Sequence, residues 1–131
     1  MRIRGFLVAT VLCASLGTAA FADPILGTWQ VEPDHKGQIG LVVIRRCGEA
    51  FCGRVMEVFD RAGTSVVTRS MGRDLFWDLK ANGNGQYSGG QVWVPLHDRV
   101  YDAKARLKGD RLMVRGCIGP VCDGQTWNRV D

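Results

Sequence analysis

Histidine is scarce in this chain of 131 residues, which holds only His35 and His97. His35 lies in the polar turn Pro33-Asp34-His35-Lys36-Gly37, where a solvated side chain is expected. His97 precedes Asp98, but adjacent residues on a strand point to opposite faces, which argues against an acid–base pair. No serine or cysteine stands in the strand–turn–helix context of an activated nucleophile. Gly83, Gly85, Gly89 and Gly90 lack the lysine and following hydroxyl of a phosphate loop and suit a hairpin turn instead. The carboxylates are scattered, and Asp74 and Asp78 share a face only if that segment is helical. These shortages point away from an enzyme, and they imply neither a cofactor nor a metal.

Long apolar runs and clustered cations are also missing. The only apolar stretch, Phe6 to Leu16, is shorter than the roughly 20 residues a membrane-spanning helix needs. It follows Arg2 and Arg4 and precedes the small-x-small motif Ala20-Phe21-Ala22, the pattern of a signal peptide cleaved after Ala22. Cys13 falls inside the apolar run and follows Leu12, whereas a lipidated cysteine sits at the cleavage site behind a small residue. Residues 1–22 carry two arginines and no acid, so their removal leaves 109 residues and lowers the net charge from +4 to +2. That length suits one domain, residues 23–131, with a single core. Arg45-Arg46 is the only basic doublet and the other cations alternate with acids, so no nucleic-acid partner is expected.

What is present is a series of short strands joined by Gly, Asn and Asp turns. Ile25–Val31, Gln38–Arg46 and Phe51–Phe59 form the first three strands, and Asp60–Arg73 reads as an irregular connection with room for a short helical turn. Asp74–Leu79 is ambiguous between strand and helix. Asn82-Gly83-Asn84-Gly85 is a strong turn signal, because Asn and Gly accept positive φ at little cost. Gly90–Val94 is a further strand. Tyr101, Ala103, Ala105 and Leu107 alternate with Asp102, Lys104 and Arg106, the period of a strand with one buried face. Arg111–Arg115 and Gln125–Val130 complete the set. Successive hairpins predict an all-β fold, a small antiparallel up-and-down barrel of roughly eight strands, whose closure removes exposed edges.

Four cysteines form two C-x4-C loops, Cys47 to Cys52 and Cys117 to Cys122. Behind an export signal, paired thiols become disulfides. Three pairings are possible. Hairpin geometry favours Cys47–Cys52 with Cys117–Cys122, since each loop carries turn residues and ends one strand where the next begins. A four-cysteine zinc site and a redox pair fit less well, because both use the closer C-x2-C spacing. The four tryptophans are the remaining signal. Trp29 and Trp127 lie near opposite ends of the barrel sequence and become neighbours if the first and last strands meet, with Arg129 over an indole ring. Trp77, Trp93 and Tyr101 are either core or the lining of a cavity, and they are the candidate ligand-binding residues.

The motifs Gly27-x-Trp29, Cys47-Gly48-x-x-Phe51-Cys52-Gly53-Arg54-Val55 and Val114-Arg115-Gly116-Cys117-x-Gly119-x-x-Cys122-x-x-Gln125-x-Trp127-x-Arg129-Val130 together resemble a bacterial secreted family, domain-of-unknown-function family 2147. The resemblance covers the chain from residue 23 onward and implies a lipocalin-like (calycin) barrel, opened by Gly-x-Trp and closed by Arg129 packed over Trp29. Where the family has an Asp-Pro turn followed by Gly-Lys-x-Tyr, this chain has Val94-Pro95-Leu96-His97-Asp98-Arg99-Val100-Tyr101 and keeps only Pro95, a basic residue and Tyr101. The resemblance brings no activity with it. By analogy with the fold, the expected role is binding a small apolar or lipid-like molecule in the barrel, in the periplasm or after secretion. The alternative is a non-catalytic envelope interaction module with a solid core. The size of the inner side chains separates the two.

Overall fold

The computed structural model describes Gly5, residues 7–12 and residues 22–131. The segment expected to be a signal peptide, with Cys13 and most of the expected cleavage motif, therefore lies largely outside the described residues. Eight strands follow one another: β1 (Gly27–Gln30), β2 (Ile39–Cys47), β3 (Ala50–Phe59), β4 (Asp74–Gly83), β5 (Gln86–Val94), β6 (Arg99–Lys108), β7 (Arg111–Ile118) and β8 (Val121–Arg129). Each pairs antiparallel with the next, and β1 pairs with β8 through Trp29 opposite Arg129, which closes the barrel. The segment Asp60–Arg73 carries turns but no helix, and the ambiguous Asp74–Leu79 is the first part of β4. β5 begins at Gln86, four residues before the predicted start.

Antiparallel succession sorts the connections onto two ends. At the turn end, β2–β3, β4–β5 and β6–β7 are joined by two-residue turns, with positive φ at Gly48, Asn84, Gly85 and Gly109. At the loop end lie the connections 31–38, 60–73 and 95–98, and the tight β7–β8 turn at Gly119-Pro120.

The segment before β1 plugs the turn end. Asp23 accepts hydrogen bonds from the Ile25 amide (2.9 Å) and the Tyr87 hydroxyl (2.6 Å). Burial, reinforced by the bond to the Asp23 carboxylate, pushes the Tyr87 hydroxyl well above its ordinary pKa. The Trp29 indole donates to the Ile25 carbonyl (2.9 Å), so the ring is fully buried with its one polar atom satisfied. Arg129 lies over that ring at 4.3 Å and donates to the Leu26 carbonyl (2.9 Å), the arrangement set out above for barrel closure. It also donates to the Pro24 carbonyl and pairs with Asp110 (3.4 Å) and Asp131 (3.5 Å).

Both disulfides join the two strands of one hairpin, Cys47–Cys52 and Cys117–Cys122. Cys117 and Cys122 face each other directly, with Cα atoms 4.1 Å apart. Cys47 faces Ala50 instead, so its bond to Cys52 runs diagonally over a 5.9 Å Cα separation.

The inner face is filled by large side chains. Trp29, Phe76, Leu79 and Leu112 are completely or almost completely buried. The rings of Phe76 and Trp127 lie 6.1 Å apart, and Phe51 meets Tyr87 edge-on at 5.9 Å. Small inner residues do not leave matching gaps. A Cβ on Gly53 would lie 2.5 Å from Cε1 of Phe76, because the phenyl ring occupies that space. Interiors packed in this way lose contact energy when any gap opens, which is why bulk sits opposite glycine here.

Candidate functional site

At the loop end the inner face meets solvent. There Tyr101, half-buried, lies opposite Val92 on the neighbouring strand. Gly116 keeps the next position open: a Cβ there would come within 3.2 Å of the Tyr101 Cβ. The Tyr101 hydroxyl meets Nδ1 of His97 at 3.0 Å, at an exposed position. Gln125 lies two residues from Trp127 on the same face of β8 and accepts a hydrogen bond from its indole (3.2 Å). Below this rim the barrel is filled, with Val92 7 %, Val114 6 % and Trp127 3 % exposed. The mouth is therefore polar with an aromatic side, above a layer of buried side chains.

Trp77 and Trp93 lie elsewhere. Phe76 and Val92 face the core, so their chain neighbours Trp77 and Trp93 project from the outer face of the sheet. Trp77 bonds Gln91 beside it (3.3 Å). Trp93 is nevertheless almost fully buried. The loop 60–73 folds back over it and sets the Arg73 guanidinium 3.8 Å above the ring, with that of Arg69 at 5.9 Å. Its indole nitrogen donates to Asp98 (3.0 Å). Of the three candidate ligand-binding residues, only Tyr101 belongs to the barrel interior, and the three do not line one cavity. Two open hollows lie on the outside of the sheet, one by Asp78 and Gln91, the other by Leu41 and Phe59.

The fold also assembles a basic face that the order of charges along the chain conceals. Arg45 from β2 and Arg54 from β3 converge on one oxygen of Asp74, each at 3.4 Å. Arg73 is the residue before Asp74 and covers Trp93, and Arg69 anchors itself to the Pro95 carbonyl. Four arginines from three segments thus share one side of the barrel with Asp74 and Asp98. Along the chain these cations are interleaved with acids, and it is the fold that brings the four arginines together. The hairpin turn at Gly48-Glu49 sets a register that puts residues 45 and 54 on one face, and the loop 60–73 brings in the other two. Exposed pairs such as Arg45–Asp74 contribute little to stability, about 0–1 kcal/mol, so the cluster is not explained as a fold requirement.

The fold has a solved counterpart. Protein HP1028 from the human pathogen Helicobacter pylori, described as belonging to the lipocalin family, is similar with a TM-score of 0.63 and 16 % sequence identity, over 81 % of this chain and 82 % of that one. That likeness concerns the fold: an all-β, closed, eight-stranded antiparallel barrel of lipocalin-like form. No curated protein matches the sequence. The model of the family described as "Uncharacterized protein conserved in bacteria (DUF2147)" matches residues 27–129, from the start of β1 to the end of β8, and the chain belongs to that family.

Proposed function

We propose that this protein is a non-catalytic binding module of the bacterial envelope, which engages its partner through the loop end of a solid barrel. One observation carries the reading: Trp29, Phe76, Leu79, Leu112 and Trp127 fill the space in which a lipocalin-like barrel would store a ligand. Work outside the cytoplasm is supported by the two hairpin disulfides, which persist under oxidising conditions. Native mass spectrometry of protein purified from the periplasm or medium tests it. The expected mass is that of the disulfide-bonded chain alone, with no fluorescence gain from an apolar probe. Stoichiometric recovery of a lipid-like adduct overturns it.

A second reading, a small ligand held at the mouth, is favoured by the Tyr101–His97 pair and by the likeness to a lipocalin-family protein. It predicts a ligand whose affinity drops at least tenfold in Tyr101→Ala, while Trp77→Ala leaves it unchanged.

A further inference from the structure

The loop end combines two features that are separately ordinary and together uncommon. Val67 (92 % exposed), Leu96 (65 %), Ile118 (66 %) and Val121 (72 %) project apolar side chains into solvent at this end, the first two from connections and the last two from the strand ends beside the β7–β8 turn. Scattered exposed apolar residues need no explanation, but several on the tips of one end are a docking signature. Val67 and Leu96 flank the contact between Arg69 and the Pro95 carbonyl, so the first two tips stand beside the arginines. Ile118 and Val121 face each other across a hairpin clamped by the Cys117–Cys122 disulfide, which makes the third tip rigid.

The charges are arranged unequally. Connections 60–73 and 95–98, with the first residue of β6, carry Arg61, Arg69, Arg73 and Arg99 against Asp60 and Asp98. Over the whole end, Glu32, Asp34, Asp60, Asp98 and Asp123 balance Lys36 and these four arginines, so the excess of positive charge is local to these two connections, and each carboxylate accepts from the protein's own donors. Asp60 accepts from the Ala62 and Thr64 amides, Asp98 from Trp93, Asp34 from the Lys36 and Gln38 amides, Glu32 from Thr126 and Asp123 from Gly124. Arg73 instead places its guanidinium carbon 3.8 Å from the centre of the Trp93 ring, and it forms no ion pair among the described residues. A guanidinium lodged on a ring keeps N–H donors for an oxyanion.

The geometry points to a lipid surface as the partner: the loop end docks onto an anionic phospholipid bilayer, with Val67, Leu96, Ile118 and Val121 entering the headgroup region and Arg69, Arg73 and Arg99 meeting the phosphates. Apolar tips beside arginines match both layers of such an interface, whereas an acidic protein surface would use the arginines and leave the tips wet. The inference rests on the proposed use of the loop end and names its partner.

Co-sedimentation of the full exported protein with vesicles tests it. Vesicles containing phosphatidylglycerol should bind it, vesicles of phosphatidylcholine alone should not, and raising the salt should release it. Leu96→Asp and Val67→Asp, at exposed tips that do not threaten folding, should each weaken binding at least tenfold. Arg99→Gln should weaken it about fivefold, the usual effect of one arginine near an anionic surface. Millimolar glycerol phosphate should leave the protein on the vesicles, because a headgroup alone lacks the apolar layer. Equal binding to neutral vesicles, absence of binding by the folded protein, wild-type affinity in the aspartate variants, or full displacement by glycerol phosphate would each overturn the proposal. Failure here leaves the solid-barrel reading to its own test, since ligand occupancy of the interior is measured without vesicles.

Discussion

Gly53 offers the sharpest probe of whether the barrel is solid. It lies on the inner face of β3, opposite Ile44 on one side and Phe76 on the other. A methyl group added there would sit 2.5 Å from Cε1 and 3.0 Å from Cζ of Phe76, and 3.0 Å from Cγ1 of Val42. Phe76 and Val42 are both fully buried, so neither can yield without displacing its own neighbours. Overpacking of this kind costs about 1–3 kcal/mol. Replacing glycine also removes unfolded-state entropy and returns about 0.4–1 kcal/mol. Gly53→Ala should therefore destabilise the protein by about 0.5–2 kcal/mol, read as a lower urea midpoint with an unchanged slope. Gly40→Ala is the control: its Cβ would meet only Val31, at 3.8 Å, so it should be neutral or slightly stabilising. In a Phe76→Leu background, which removes the ring edge, Gly53→Ala should lose its cost, a coupling of about 1 kcal/mol or more. If Gly53→Ala matches or exceeds the wild type in stability, Phe76 has space to swing into and the barrel interior is not solid.

Other consequences follow from the plugged end and the staples. Tyr87 keeps its proton in the folded state to a pH above that at which the unfolded chain loses it, near 10. Its contribution to stability is thus complete below about pH 10 and is lost as the pH rises toward the folded-state value. Melting curves between pH 9 and 11 should show this loss, reduced in Tyr87→Phe, which should also cost about 1 kcal/mol at neutral pH through the missing bond to Asp23. Arg129→Lys keeps the charge but loses the planar fork that covers Trp29 while reaching the Leu26 carbonyl, and chemical denaturation should show a cost of about 1–3 kcal/mol. Each disulfide closes a loop of about six residues and should contribute roughly 2 kcal/mol, measured as the difference between native protein and a Cys→Ser pair. Non-reducing peptide mapping should recover Cys47 with Cys52 and Cys117 with Cys122. A peptide joining Cys47 to Cys117 would contradict the fold.

Much of the barrel was legible because most strands alternate cleanly. Tyr101 to Leu107 announces β6, and the two C-x4-C loops announce the hairpins β2–β3 and β7–β8. β4 and the start of β5 were obscured by the same physical feature. Phe76 and Leu79 both face inward although they are three residues apart, because Asp78 adopts positive φ and the strand bulges. Across from them, Tyr87 and Gly90 are separated by a matching register shift, with Gly89 at positive φ. A spacing of three imitates a helix, so DLFWDL could not be assigned by period. The site was harder to read for a different reason. Trp93 is buried on the outside of the sheet by a loop without periodicity, and its covering arginines come from a segment whose path no local pattern dictates. The inward orientation of Tyr101 is legible because it lies on a regular strand. The arginine face and the apolar tips become a site only when the topology gathers three connections at one end.

In the proposed function this barrel acts through its loop end while its interior stays closed. Methyl NMR of the disulfide-bonded protein, titrated with a short-chain phosphatidylglycerol, separates the two surfaces. The methyl signals of Val67, Leu96, Ile118 and Val121 should shift in a saturable way, while those of Val42, Ile44, Val55 and Val114 in the core stay in place. Shifts concentrated on the core methyls, with the rim unmoved, would mean that the lipid enters the barrel and would contradict the account.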